Sequence, residues 1–320
     1  MVCDLFVGSL NVRGINNPQK RRSIFKWVTK NNFDVTLLQE TYSSKDNELE
    51  WNNEWKGHIV FSHGSKHSKG TMIMFRKGFD FVIKREKCDT SGRFIILEIE
   101  IEGHTFIIVN VYAPNKEGEK KRFFSDILNI LKSMNITSQD QLIFGGDWNS
   151  IFDANLDKAG GKHISANVVG EMKSVIDELD ISDIWRIKYP TSRRYTFRQK
   201  TPLIQTRLDY FLISSSCQDL VNSVDIIPSV WSDHSAIIMK LKFLKEWPKG
   251  KGHWKFNASY LEDEHFVDEM NTKIEEWLNI YKDITDKRVQ WELIKYEIRK
   301  FCINYGTLRK RNLNIHKGNL

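Results

Sequence analysis

Asn11, Glu40, Asp147, Asn149 and His234 are far apart in the chain, yet together they have the residue types needed to cleave a phosphodiester with a metal ion. A hard divalent cation such as Mg²⁺ prefers oxygen ligands, keeps several waters and is held by one or two carboxylates plus substrate phosphate. Glu40 with the amide of Asn11 is a sufficient cradle for it. A histidine with a carboxylate partner orients or deprotonates the attacking water, which pairs His234 with Asp209 of Arg207-Leu208-Asp209-Tyr210. Asp147 and Asn149 alternate on an extended segment, so both are expected to face one side and to grip the water and a phosphate oxygen.

Elements of regular structure must bring these residues together. Apolar, β-prone runs end or begin at each of them: residues 5–10 before Asn11, 35–38 before Gln39-Glu40, 142–144 before Gly145, and 236–239 after Asp233-His234. Strand ends share a rim of a sheet, where catalytic groups commonly collect. Three stripes at helical spacing lie between the strands. One follows Pro18 (Ile24, Trp27, Val28), a second runs from Phe123 through Ile127 and Leu131 to Met134, and a third from Val168 through Met172 and Val175 to Leu179. A helix with one apolar stripe packs it on a sheet, so the expected architecture is α/β: two mixed β-sheets face to face with helices outside.

Taken singly, each polar residue is ordinary, since Asp-Trp-Asn usually makes a turn and a lone histidine is usually a satisfied one. Their order is what carries information. Ser9-Leu10-Asn11-Val12-Arg13-Gly14, Leu38-Gln39-Glu40-Thr41, Asn110-Val111-Tyr112-Ala113-Pro114-Asn115, Gly146-Asp147-Trp148-Asn149, Tyr195-Thr196-Phe197, Arg207-Leu208-Asp209-Tyr210 and Ser232-Asp233-His234 follow one another across residues 4–243. This series resembles the endonuclease/exonuclease/phosphatase superfamily of apurinic endonucleases and DNase I-like nucleases, and within it the endonuclease of LINE-type (non-LTR) retrotransposons. The resemblance implies a four-layer α/β sandwich. It also implies that Asn11 and Glu40 handle the metal, that Tyr112, Asn149 and His234 contact the scissile phosphate, that Asp147 positions the nucleophile, and that Asp209 and Asp233 support His234. Arg13 stands where apurinic endonucleases carry an acid, which argues against metal ligation at that position and against a repair role.

Composition is consistent with this reading. The chain has 320 residues, 40% hydrophobic and 12% aromatic, enough for a substantial core. Its apolar runs are far shorter than a membrane span and its start lacks a signal-peptide pattern, so an intracellular protein is expected, with nuclear access to target DNA. Cys3, Cys88, Cys217 and Cys302 are widely spaced, which supports neither a disulfide framework nor a zinc ribbon.

A net charge of +7 is too modest to diagnose nucleic-acid binding, but basic residues cluster near the landmarks. Lys20-Arg21-Arg22 and Lys120-Lys121-Arg122 are two such clusters. Arg198 and Arg207 flank residues 199–205, which include Lys200 and read as a basic hairpin able to touch a DNA groove. Asn115, Thr196 and Thr206 are further expected DNA contacts. The endonuclease domain is expected over 1–243, a Pro/Gly/Lys linker over 244–252, and over 253–320 a helical extension worded like the segment that precedes a reverse transcriptase in LINE polyproteins.

The expected activity is metal-dependent nicking of one DNA strand, leaving a 3′-hydroxyl to prime reverse transcription, with Mg²⁺ as cofactor and Mn²⁺ as a possible substitute. The alternatives are an apurinic repair endonuclease, another phosphodiesterase or phosphatase of the superfamily, and a catalytically silent nucleic-acid-binding module.

Overall fold

The apolar runs become strands and the apolar stripes become helices in the computed structural model, which describes residues 2–161, 170–245 and 256–317. The first half contains β1 (Val2–Asn11), α1 (Pro18–Lys30), β2 (Val35–Gln39), α2 (Lys45–Trp55), β3 (His58–Ser62) and β4 (Thr71–Phe75). Then follow β5 (Val82–Cys88), β6 (Phe94–Ile101), β7 (His104–Tyr112), α3 (Glu117–Ser133) and β8 (Gln141–Asp147). The second half adds β9 (Lys158–Ala159), α4 (Gly170–Leu179), β10 (Ile181–Asp183), α5 (Ile184–Lys188), β11 (Phe197–Gln199) and β12 (Ile204–Thr206). It closes with β13 (Asp209–Ser214), α6 (Ser215–Gln218), β14 (Val221–Ile227) and β15 (Ala236–Leu244).

Two six-stranded mixed sheets result, ordered β14-β15-β1-β2-β4-β3 and β10-β13-β8-β7-β6-β5. Each has one parallel pair, β1 with β2 and β7 with β8, among antiparallel neighbours. Strand alternation sends Leu5, Val7, Leu37 and Ile73 of the first sheet against Leu97, Ile108, Ile143 and Phe211 of the second. Each of these side chains contributes roughly 1.5–3 kcal/mol by leaving water. The outer face of the first sheet is covered by Ile24, Phe25 and Val28 of α1 with Trp51 of α2. That of the second is covered by Phe123, Phe124 and Ile127 of α3 with Met172 and Val175 of α4. The layers are therefore helix, sheet, sheet, helix.

A buried amide bridge ties the two sheets together. Gln39 Nε2 donates to Ser9 Oγ at 3.0 Å and to Asn110 Oδ1 at 2.8 Å, while Asn110 Nδ2 reaches the carbonyls of Leu38 (3.0 Å) and Met72 (2.9 Å). Such a network is costly unless satisfied, so it specifies how the sheets register.

The chain divides into two compact units, Met1–Pro248 and Lys249–Leu320. The last strand runs through Leu244, one residue past the domain end expected from sequence, and most of the expected linker lies outside the described residues, as do Val168 and Val169. In the second unit α7 (Glu264–Ile280) packs with α8 (Lys287–Lys317) around Phe266, Phe301 and Tyr305. In α8, Ile294 and Cys302 are buried, whereas Val289 and Tyr296 are exposed.

Candidate active site

Sheet register brings the polar strand ends together. Asn11 closes β1 opposite Gln39 of β2, which delivers Glu40 one residue later. Tyr112 closes β7 opposite Asp147 of β8, and Asp147 is paired on its other side with Asp209, the first residue of β13. His234 precedes β15 and forms an isolated bridge with Phe197 of β11. Residues far apart in sequence thus become neighbours because parallel strands end on the same side and antiparallel partners begin there.

The contacts are specific. Asn11 Nδ2 donates to Glu40 Oε1 and to Asp147 Oδ2, each at 2.9 Å, and Asn11 Oδ1 accepts from the Arg13 backbone N–H at 3.0 Å. Asp209 Oδ2 holds His234 Nδ1 at 2.9 Å, leaving Nε2 turned to Asp147 Oδ2 across 4.0 Å. Asp147 Oδ1 accepts the Asn149 backbone N–H at 2.9 Å, and Asn149 Nδ2 donates to the Ala113 carbonyl. Strand alternation ends at Asp147, because Asn149 has φ +47°. A turn joins the two residues, where the sequence suggested an extended segment. Gly146 lets the strand reach that turn: with φ +142°, a Cβ there would lie 2.0 Å from the Val111 carbonyl oxygen.

Burial governs the electrostatics. Asp147 is 1% exposed, and desolvation followed by the charge of Asp209 pushes its carboxyl up to about 7 against the opposing pull of His234 and Asn11. Burial alone would lower His234. The Asp209 carboxylate, by charge and hydrogen bond, overcomes that and with Asp147 and Asp233 raises the imidazole to about 10. Tyr112 is raised far above the usual phenol range by burial and then by Glu40 and Asp147, so it remains a neutral donor.

A cation fits the acidic side of this cluster. Glu40 and Asp147 present carboxylate oxygens to the same Asn11 nitrogen, close enough for one hydrated hard ion to span. Asn11 faces them with its nitrogen, which leaves only Oδ1, already used by Arg13, as a ligand atom. Among the described residues, Asp147, Asp209 and His234 also bring ligand atoms within 4.8 Å of one another. Asp209 Oδ1 there is buried without a hydrogen-bond partner.

Several residues expected near DNA or His234 are placed elsewhere. Arg207 is 1% exposed and pairs with Asp157 at 2.9 Å and Asp183 at 2.6 Å, so its charge is spent inside the fold. Thr196 is fully buried, its Oγ1 accepting the N–H groups of Leu208 (3.0 Å) and Asp209 (3.1 Å), and Thr206 is buried on β12. Asp233 is paired with Arg13 at 2.6 Å and acts on the imidazole through its charge, without a hydrogen bond to the ring. Arg21 and Lys120, read as parts of basic clusters, are buried; Arg21 pairs with Glu50 and Glu54, and Lys120 caps the Asn149 carbonyl at 2.8 Å. Asn115, Arg198 and Lys200 remain exposed. Arg207→Ala leaves Asp183 and part of Asp157 uncompensated and is expected to cost about 3–5 kcal/mol of stability. Urea denaturation measures this, and an unchanged midpoint would return Arg207 to the surface.

Sequence reading missed Tyr42, whose hydroxyl donates to Glu40 Oε2 at 3.2 Å. Glu40 (φ +52°) and Tyr42 (φ +59°) both adopt left-handed backbone, and Gly14 packs so closely on the Tyr42 ring that a Cβ would lie 2.5 Å from it. Gly14 two residues past Val12 and Tyr42 two past Glu40 are the available sequence signals, and neither specifies the contact.

A model of the Endonuclease/Exonuclease/phosphatase family matches residues 8–234. The Transposon TX1 uncharacterized 149 kDa protein of Xenopus laevis is 28% identical over 303 residues, which cover 94% of this chain and 23% of that protein. The chain therefore spans about a quarter of that relative. Among solved structures, the AP endonuclease LMAP of Leishmania major superposes with TM-score 0.62 at 19% identity, over 75% of this chain and 88% of that one. An AP endonuclease of Archaeoglobus fulgidus gives TM-score 0.58 at 20% identity, over 73% and 98%. At such identities these two structures show a common fold.

Proposed function

The chain belongs to the endonuclease/exonuclease/phosphatase family, and on that premise we propose that it is a Mg²⁺-dependent DNA endonuclease of a LINE-type retrotransposon, nicking one strand to leave a 3′-hydroxyl primer. One observation carries the reading: the His234–Asp209 pair faces Asp147 across 4.0 Å while Asn11 links Asp147 to Glu40. That gap suits a water or a phosphate oxygen. The likeness to a transposon protein supports the retroelement assignment, and its greater length leaves room for a downstream reverse transcriptase as partner.

Glu40 and Asp147 would hold the ion, which when bound neutralises charge on the scissile phosphate. Asp147 orients the water and takes its proton as oxygen adds to phosphorus. The bond to the 3′ oxygen breaks, and that oxygen takes a proton from solvent water as it leaves, giving a 3′-hydroxyl and a 5′-phosphate. His234, with Nδ1 committed to Asp209, offers Nε2–H to a phosphate oxygen, and Tyr112 and Asn149 stand beside it as further contacts. Exposed Arg198 and Lys200 on the β11–β12 hairpin meet the duplex, and acting on target DNA requires nuclear access. Among the described residues no helix is long and apolar enough to cross a membrane.

Supercoiled plasmid is expected to be relaxed by single nicks whose ends a DNA polymerase extends without phosphatase treatment. Cleavage confined to duplexes carrying an abasic site would make the protein a repair endonuclease. Tight DNA retention without cleavage would make it a silent binding module.

A further inference from the structure

Val230, at 87%, is the most exposed large apolar side chain among the described residues, and its neighbour Trp231 keeps 39% of its surface open. Both stand on the loop between β14 and β15, four and three residues before His234. Polar groups around them are engaged. The Trp231 N–H donates to Ser229 Oγ at 3.2 Å, the His234 N–H donates to Ser232 Oγ at 3.2 Å, and Asp233 pairs with Arg13. The loop is therefore a braced display of two apolar groups, and contiguous exposed apolar surface commonly marks a contact site.

Its surroundings indicate the partner. The Arg198 N–H donates to the Asp233 carbonyl at 3.3 Å, which ties the exposed basic hairpin to this loop. Arg193, Arg194 and Lys200 are also exposed on the adjoining segments. Exposed cations on a segment tied to a loop that shows two apolar groups complement a duplex, in which phosphates lie outside and base faces lie within.

Resting on the endonuclease reading, we infer that Val230 and Trp231 form an apolar wedge that enters the duplex between base pairs near the scissile phosphate and selects nick sites by how readily that step unstacks. Chain geometry sets its reach. Three and four residues span at most about 11 and 14 Å, and nucleotides repeat at about 3.4 Å along a strand. The wedge acts within about three or four base steps of the phosphate beside His234. Pyrimidine–purine steps unstack most easily and are the expected targets.

The test uses duplexes containing one mapped nick site, with 2-aminopurine placed in turn at each nearby step. Binding of the wild-type protein raises 2-aminopurine fluorescence at one step. The double substitution Val230→Ser with Trp231→Ala, on exposed positions, abolishes that rise and slows nicking of the paired duplex by at least roughly tenfold, the scale of one lost base-stacking contact. A mismatch at the same step, which unstacks it in advance, restores the variant's rate. A purely structural role or a protein-contact role gives no such rescue, so a loss that the mismatch leaves uncorrected overturns the wedge. So do unchanged fluorescence and nick positions, including the case in which the variant differs from wild type only in sedimentation. A wild-type protein that nicks none of the duplexes overturns the endonuclease reading itself, and the wedge with it.

Discussion

Asp147→Asn lowers nicking by roughly 10²–10⁴-fold in a protein that still folds, the usual scale for loss of a positioned proton-transfer group. Asn11 Nδ2 and the Asn149 N–H use different oxygens of Asp147, so an amide keeps one of the two hydrogen bonds and places its NH2 against the other donor, a loss smaller than that of the whole side chain. What disappears is the charge that faces His234 Nε2 and would take the water's proton. His234→Ala should reduce the rate on the same scale, but it also leaves Asp209 buried without its partner and therefore lowers stability. Circular dichroism at the assay temperature separates the two effects. The pH profile has a definite sign: the base form of Asp147 accumulates as pH rises toward about 7, and a cation on the carboxylates moves that rise to lower pH. Loss of the His234 proton near about 10 then lowers activity on the alkaline side. A folded Asp147→Asn protein nicking within a fewfold of wild type would remove Asp147 from the mechanism.

Chelation by EDTA abolishes nicking, and Glu40→Ala raises the Mg²⁺ concentration needed for half-maximal activity by at least roughly tenfold, since even an outer partner of a metal ligand typically matters that much. Glu40 is tied to Asn11 and Tyr42; after its replacement the buried Asn11 Nδ2 keeps Asp147 as acceptor and the half-buried Tyr42 hydroxyl loses its partner, while the core is unaltered. Activity therefore returns at high Mg²⁺. Titrating Mg²⁺ against initial nicking rate for both proteins measures the shift. Full activity in EDTA, or coincident titration curves, would show that the carboxylate has no part in metal use.

Much of this molecule is already determined by sequence periodicity. Short apolar runs such as residues 5–7 and 142–144 mark strands, and Phe123, Phe124 and Ile127 repeat at the helical period. The α/β layering follows from those patterns because each apolar face must find another. The types of the candidate catalytic groups are also legible, since phosphodiester hydrolysis with a hard cation needs carboxylates, amides and an oriented imidazole. Three-dimensional register, which no local pattern encodes, decided the rest. It placed Asp147 between Tyr112 and Asp209, and turned the Asn11 nitrogen to two carboxylates at once. Charge along the chain was the least reliable guide: Arg207, Arg21 and Lys120 look like surface cations in sequence but are buried, because acids and carbonyls brought from distant segments satisfy them there. Burial depends on what the whole fold delivers to a position, and a side chain's chemistry alone cannot reveal whether its partner is water, a phosphate or a carboxylate from another strand.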